Sequence, residues 1–386
     1  MNKELNVVYI GPLSFPLGYA STKRRRYMVD YMNEHGISAH VLCTRHGVND
    51  KFSNPQNGYY GAADYYDLSS YIRHFHFHRY YREGKKKLLQ WFDSTKKNVL
   101  IFHTMLPIED APFFFYARRL GYKIVFDQVE TSYIAKGTKT SFKRKCYIYL
   151  CEYISDYAYK RANGSFVISS FLWKQNEKRY SQMPLCLLPN STPVFAKRFK
   201  EKLSKPLRIL YSGTYAPKDG VNFLIEGIIK AVNKGCDCEL ILVGKGASRD
   251  MLFLSNISDK TFIKYLGFIS DEELVNVMLS CDVLAMTRTN SKFANYGFPF
   301  KLSEYLSTGN IVLATRVGDV SFYLKNQENA YLVEPESSNA ICDAVINIAN
   351  HEEEALKIAA HGLETMKQQF SINHVGGMFI QFLNQL

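Results

Sequence analysis

What most constrains the fold of this chain is a rhythm that starts twice. Short apolar runs alternate with longer amphipathic stretches, and each run ends in a loop bearing glycine or polar residues. In the first cycle the runs fall at 6–10, 38–44, 99–103, 123–127 and 165–169, with helical periodicity over 21–35, 111–120 and 142–162. In the second they fall at 207–212, 238–243, 261–265, 283–286, 311–315 and 330–333, with helices over 221–234, 271–281, 300–307 and 320–325. Apolar runs this short, without strict alternation, read as strands buried on both faces, and βα repetition implies parallel sheets covered by helices. The expected fold is therefore α/β, with two doubly wound, Rossmann-like domains facing a central cleft at the carboxyl ends of their strands. Prolines, serines and a basic stretch break the rhythm at 188–206, so the domains are expected at 1–195 and 206–371. The tail reads as helices over 352–361, 362–369 and from 372 onward, the last able to pack back on the first domain.

Composition excludes several classes. The 386 residues are 46% hydrophobic and 22% charged, which excludes general disorder. The longest apolar stretches, such as 99–102 and 284–286, fall far short of the roughly 20 residues a spanning helix needs. The opening reads as a strand and not as a signal peptide, so a cytoplasmic location is expected. The eight cysteines (43, 146, 151, 186, 236, 238, 281 and 342) form no Cys-x-x-Cys and none stands at metal spacing with a histidine; reduced thiols and no metal site are expected. Charge divides unevenly: residues 1–200 hold 31 Lys+Arg against 15 Asp+Glu, and the rest hold 17 against 21. Twenty of the 27 tyrosines also lie in the first 200 residues. Such a surface attracts nucleic acid, an anionic membrane or a phosphorylated substrate.

The richest segment is Asn295-Tyr296-Gly297-Phe298-Pro299-Phe300-Lys301-Leu302-Ser303-Glu304-Tyr305. Gly297 and Pro299 suit a turn feeding a helix, whose free N–H groups and positive end make an anion site. Lys301 in the first turn opposes that dipole unless an anion joins it, and Glu304 is placed to grip a sugar diol. A second loop, Gly213-Thr214-Tyr215-Ala216-Pro217-Lys218-Asp219-Gly220, follows a strand where doubly wound domains bind phosphate. A third, Val243-Gly244-Lys245-Gly246, is no dinucleotide fingerprint, because Arg249 stands at the third glycine position; no P-loop occurs either.

Taken together, these strings resemble the retaining glycosyltransferases of family 4, of the GT-B fold and the polysaccharide or O-antigen type. The resemblance runs over nearly the whole chain. It is carried by Gly-x-x-x-x-Lys-x-Gly at 213–220, Val-Gly-x-Gly at 243–246, Leu266-Gly267-Phe268, Cys281-Asp282-Val283 and Pro-x-Lys-x-x-Glu-Tyr-x-x-x-Gly at 299–309. In the first half it rests on the loop 11–18 and a following helix with Arg25 and Arg26, then Asp127-Gln128-Val129-Glu130, Val167-Ile168-Ser169 and Pro189-Asn190.

The resemblance implies roles. Glu304 holds the ribose hydroxyls, while Lys218 with Lys301 neutralises the departing diphosphate. Gly297 and Phe298 offer backbone N–H groups to the donor, and Gly11 and Gly18 let the first-domain loop approach the phosphates. Asp127 and His103 orient or deprotonate the acceptor hydroxyl. The chain departs from the family twice: Tyr296 stands where an acidic residue meets the transferred sugar, and Thr214 where an arginine partners the lysine, leaving Arg288 or Lys301 as its replacement.

The implied reaction is transfer of a sugar with retention, from a UDP-sugar ahead of a GDP-sugar, to a glycan or polyprenyl-diphosphate-linked acceptor. It needs no metal and no cofactor, and serves capsule or O-antigen synthesis. A non-catalytic nucleotide-sugar binder is the alternative. A nucleic-acid binder ranks below both, because it has no use for the 299–304 constellation. Two basic, aromatic segments suggest peripheral docking at the inner face of the cell membrane. One holds Arg73, Arg79, Arg82 and Lys85–Lys87 among Tyr71, Phe75, Phe77, Tyr80 and Tyr81. The other holds Lys136, Lys139, Lys143, Arg144 and Lys145, then Tyr147, Tyr149, Tyr153 and Tyr157.

Overall fold

The structure is a computed structural model that describes residues 4–18, 20–45, 54–129, 141–196, 199–246, 257 and 259–386. Glu130, Lys136, Lys139 and Arg249, named above, lie outside the described residues. The chain divides into two units: 1–191 joined by 372–386, and 192–371.

The first unit carries β1 (Leu5–Gly11), β2 (Ser38–Cys43), β3 (Asn57–Tyr60), β4 (Ala63–Asp67), β5 (Lys97–His103), β6 (Lys123–Gln128), β7 (Gly164–Val167) and β8 (Leu185–Leu187). Their spatial order is β3-β4-β2-β1-β5-β6-β7-β8, parallel except for the β3–β4 hairpin. The second unit carries β9 (Leu207–Ser212), β10 (Cys238–Val243), β11 (Ile263–Gly267), β12 (Val283–Met286), β13 (Ile311–Thr315) and β14 (Tyr331–Val333), in the all-parallel order β11-β10-β9-β12-β13-β14. All residues of β1, β10, β12 and β13 are buried, as strands sandwiched between helices require.

Local chemistry sets the helix ends. Ser270 caps the Asp271–Ser280 helix in a reciprocal box with Glu273, satisfying two otherwise free N–H groups. Ser141 and Ser169 cap the helices Phe142–Tyr159 and Ser170–Arg179 in the simpler manner. The two tail helices expected at 352–361 and 362–369 are one, Glu352–Gln369, because glycine is tolerated inside a helix and Gly362 packs close to Asn329. The terminal helix Ile372–Gln385 belongs to the first unit: Phe379 lies 4.9 Å from Phe166 and 6.2 Å from Tyr9, ring to ring. The hairpin β3–β4, strand β8 and the helices Ser69–Arg73, Phe77–Gln90, Ser170–Arg179 and Ser338–Asn350 add to the elements expected from sequence.

Candidate active site

In a doubly wound sheet, ligands collect where the strand order reverses, because neighbouring loops there turn to opposite faces and leave a crevice. In the second unit the reversal lies between β9 and β12. The loop after β9 runs through Gly213 and the turn Pro217–Asp219 to the helix Val221–Asn233. It is fastened to the end of β12. Thr289 donates its N–H to the Lys218 carbonyl at 2.9 Å, and the Thr287 hydroxyl donates to the Asp219 carbonyl at 3.3 Å.

Four charged side chains gather on this loop pair. Asp219 is buried, accepts the Thr214 hydroxyl at 2.7 Å and lies 3.7 Å from the Lys301 ammonium. Lys301 comes from the first turn of the helix Phe300–Ser307, whose N-cap is the extended Pro299. Its Nζ donates to Tyr211 Oη at 3.0 Å and sits 4.3 Å from the centre of that ring, a cation–π contact that shields it without neutralising it. Burial lowers the Lys301 pKa to about 8. Asp219 and Glu304 oppose that fall, while Arg288 and Lys218 deepen it. Lys301 therefore feels both other cations. Arg288, at the end of β12, is also lowered by burial, and its Nε is buried without a hydrogen-bond partner. Three half-buried cations close to buried Asp219 and Glu304 are costly in isolation and suit a multiply charged anion.

Glu304 lies three residues beyond Lys301 in the same helix and is 8% exposed. The helix is pinned to β9 by Tyr305, whose hydroxyl accepts the Ser212 N–H at 3.0 Å. Tyr296 ends the short helix Lys292–Tyr296 and is half-buried; Gly297 follows in extended backbone, φ −112°. The Phe298 ring belongs to the core, 5.4 Å from both Tyr323 and Phe370, so its side chain anchors the segment.

The first unit repeats the logic at its own reversal, between β1 and β5. Gly11 ends β1 with φ +152°, and a Cβ there would stand 2.9 Å from that of His103 at the end of β5. Gly18 meets the following helix so closely that a Cβ would lie 2.1 Å from the Thr22 hydroxyl. Burial, and then Arg25, push the His103 pKa well down, which keeps its imidazole neutral. Asp127 is held by Arg24, with NH2 at 3.0 Å and Nε at 3.2 Å from its oxygens. Burial alone would raise the Asp127 pKa; the Arg24 charge and hydrogen bonds overcome it and hold the carboxyl below its ordinary range. Arg24 also binds the carbonyls of Leu188 and Pro189 at 2.9 Å each and Asn190 Oδ1 at 3.2 Å.

Sequence reasoning singled out Arg25 and Arg26, whereas Arg24 and Arg25 are the buried pair. The signal was available, because positions 24 and 25 share the face of Met28, Val29 and Met32. Arg25 is fully buried; NH1 donates to the Ser21 carbonyl at 2.7 Å, while Nε and NH2 have no partner. Asp219, Tyr211 and Arg24 are the site residues the motifs did not reveal. Among the described residues no group of three or more His, Cys, Asp or Glu is placed to hold a metal ion, and all eight cysteines are free thiols.

Comparison with known proteins adds five matches. Residues 206–351 match the family model described as glycosyl transferases group 1. An uncharacterized glycosyltransferase of Methanocaldococcus jannaschii is 26% identical over 163 residues, 41% of this chain and 43% of that one. Trehalose phosphorylase of Grifola frondosa is 26% identical over 123 residues, 30% of this chain and 17% of its own. The matched region thus spans less than half the length of either relative. Among solved structures, Anabaena Alr3699/HepE in complex with UDP superposes with a TM-score of 0.68 at 13% identity, over 99% of this chain and 100% of that one. Sucrose-phosphate synthase of Thermosynechococcus elongatus gives 0.69 at 13% identity, over 99% of each. The fold is GT-B. The residues that match the group 1 model, 206–351, lie within the second unit, and the charged cluster described above lies inside that matched region.

Proposed function

We propose that this GT-B protein transfers a sugar from a nucleoside-diphosphate sugar to a glycan or lipid-linked acceptor, with retention and without a metal. The observation that carries this reading is the meeting of Lys218, Arg288 and Lys301 about Asp219 at the switch point of the second unit. As the bond between the anomeric carbon and the diphosphate oxygen breaks, charge grows on the diphosphate. Fixed cations in a half-buried site favour that state over the ground state. The acceptor oxygen then bonds the anomeric carbon from the same face, and its proton passes to the departing phosphate. Glu304 holds the ribose diol. His103, kept neutral, orients the acceptor hydroxyl, and Asp127 acts through Arg24 as a positioning group. The Anabaena neighbour was solved with UDP-glucose as well as UDP, which favours a UDP-sugar here ahead of a GDP-sugar.

The proposed setting is surface polysaccharide synthesis at the inner face of the cell membrane, with no nucleic-acid partner. Among the described residues no helix is long and apolar enough to cross a membrane. A thermal-shift screen of nucleotide sugars, followed by turnover of the best donor with chelator present, tests the reading. Stabilisation by UDP-sugars with chelator-insensitive turnover supports it. Donor binding without turnover makes the protein a binding module, and activity lost to chelator and restored by a divalent ion makes it metal-dependent.

A further inference from the structure

A cavity of about 910 Å³ opens in the first unit, lined by none of the residues described in the site above. Its wall includes residues from the segments that follow three strands: Arg45 after β2, Arg73 at the end of the helix Ser69–Arg73 after β4, and Glu109 in the turn Ile108–Asp110 after β5. It therefore shares the carboxyl edge of the sheet with Gly11 and His103. The Glu109 carboxylate is fixed from two sides, by Arg45 NH1 at 3.3 Å and by the Tyr147 hydroxyl, which donates to it at 2.8 Å. Behind it, buried Asp110 accepts the Thr44 hydroxyl at 2.8 Å, and Thr44 donates its N–H to the Gly11 carbonyl at 2.9 Å. The cavity floor and the first-unit site are thus one hydrogen-bonded assembly.

The mouth is different in kind. Phe75 and Phe77 line it with 81% and 42% of their surface exposed, their rings 6.4 Å apart. Phe75 is held at φ +56°, an unfavourable conformation for so bulky a residue. The helix Phe142–Tyr159, which supplies Tyr147, turns Phe142, Tyr149, Tyr153 and Tyr157 outward along one face, beside exposed Lys143, Arg144 and Lys145. The neighbouring basic run contributes less to the surface than its sequence suggests. Tyr80 is buried, Lys87 lies 3.6 Å from Asp64, and Lys85 lies 5.6 Å from the centre of the Tyr116 ring.

Three chemistries meet here. An oriented carboxylate beside tyrosines suits sugar hydroxyls, and two arginines against one glutamate favour an anion. Exposed phenylalanines at the cavity, and the basic, aromatic outer face of the helix that supplies Tyr147, each suit the interfacial layer of an anionic bilayer. The volume lies within the range of roughly 300–1,000 Å³ typical of ligand pockets. We propose that this cavity holds the phosphorylated sugar head of a lipid-borne acceptor while Phe75 and Phe77 rest in the bilayer interface. This rests on the transferase reading above and names the acceptor class for it.

The test uses the purified full chain and co-sedimentation with phosphatidylcholine vesicles. The vesicles are plain, or doped to equal charge with phosphatidylglycerol or with an isoprenyl diphosphate bearing one hexose. The expected order of binding is glycosyl diphosphate first, phosphatidylglycerol second, plain vesicles last. Arg45→Ala and Arg73→Ala should each weaken binding to the glycosyl diphosphate about tenfold, as loss of a charge-assisted hydrogen bond does, and leave phosphatidylglycerol binding little changed. Phe75→Ser with Phe77→Ser should weaken binding to both charged vesicles. Equal binding to the two charged vesicles, or indifference to the arginine variants, overturns the head-group site. Indifference to the phenylalanine variants overturns the bilayer contact. A UDP-induced thermal shift, measured on the same samples, should be the same in all variants; its absence in the parent would count against the donor reading and leave the vesicle result standing by itself.

Discussion

The ammonium of Lys301 occupies the space that a side chain on residue 213 would need: a Cβ on Gly213 would stand 2.5 Å from Lys301 Nζ. The glycine is also held at φ +141°, where other residues are strained. Gly213→Ala should therefore displace the lysine and weaken UDP binding without unfolding the domain. In a Lys301→Ala background the same substitution should add little to the loss, as coupled neighbours do. Additive losses, measured by calorimetric titration with UDP, would mean that Gly213 serves the loop and not the lysine.

Lys301 sets a pH dependence. Burial lowers its pKa from the ordinary 10.5 to about 8, so the free protein loses this cation as pH rises through 8. The kcat/KM for donor should fall there, whereas kcat should hold to higher pH because bound diphosphate restores the proton. Between pH 8 and 10.5 the unfolded chain binds more protons than the folded one, so this group contributes rising stability across that window. UDP binding near pH 8 should take up protons, seen as a dependence of the calorimetric heat on buffer ionisation enthalpy. Lys301→Arg should abolish the uptake; its survival would assign the proton to another group.

Glu304 and Lys218 should separate binding from chemistry. Glu304→Ala should cost about 1.5–3 kcal/mol of donor affinity, the range for hydrogen bonds to a charged group. Lys218→Ala should lower kcat more than it raises the donor dissociation constant, because the charge it meets grows during bond breaking. Unchanged donor affinity in the first variant, or matched losses in the second, would reassign these residues.

Arg25 tests the first-unit site. Fully buried, with two nitrogens unpartnered and a pKa lowered by burial, its guanidinium is a cost to the folded protein. Arg25→Met should leave the thermal midpoint unchanged or higher while lowering turnover. A clear loss of stability would make Arg25 a structural residue, and retained turnover would remove it from the site.

What the sequence by itself determined is the local part of this protein. β9, β10, β12 and β13 and the helices Ala111–Leu120 and Phe300–Ser307 stand where their apolar runs and periodicity place them, since each is buried by its own pattern. Elements with a half-exposed pattern were harder to read. The β3–β4 hairpin mixes tyrosine with aspartate and asparagine, and the helix Phe77–Gln90 hides behind a run of charge. The motif residues Lys218, Lys301 and Glu304 were legible because they follow strands or open a helix. Their partners were not. Tyr211 and Asp219 reach Lys301 across 90 and 82 positions of chain, and Arg24 reaches Asp127 across 103, because strand order, not sequence spacing, decides which loops adjoin. Whether a lysine is an ordinary surface cation or one brought near neutrality depends on what buries it, and only the assembled sheet supplies that.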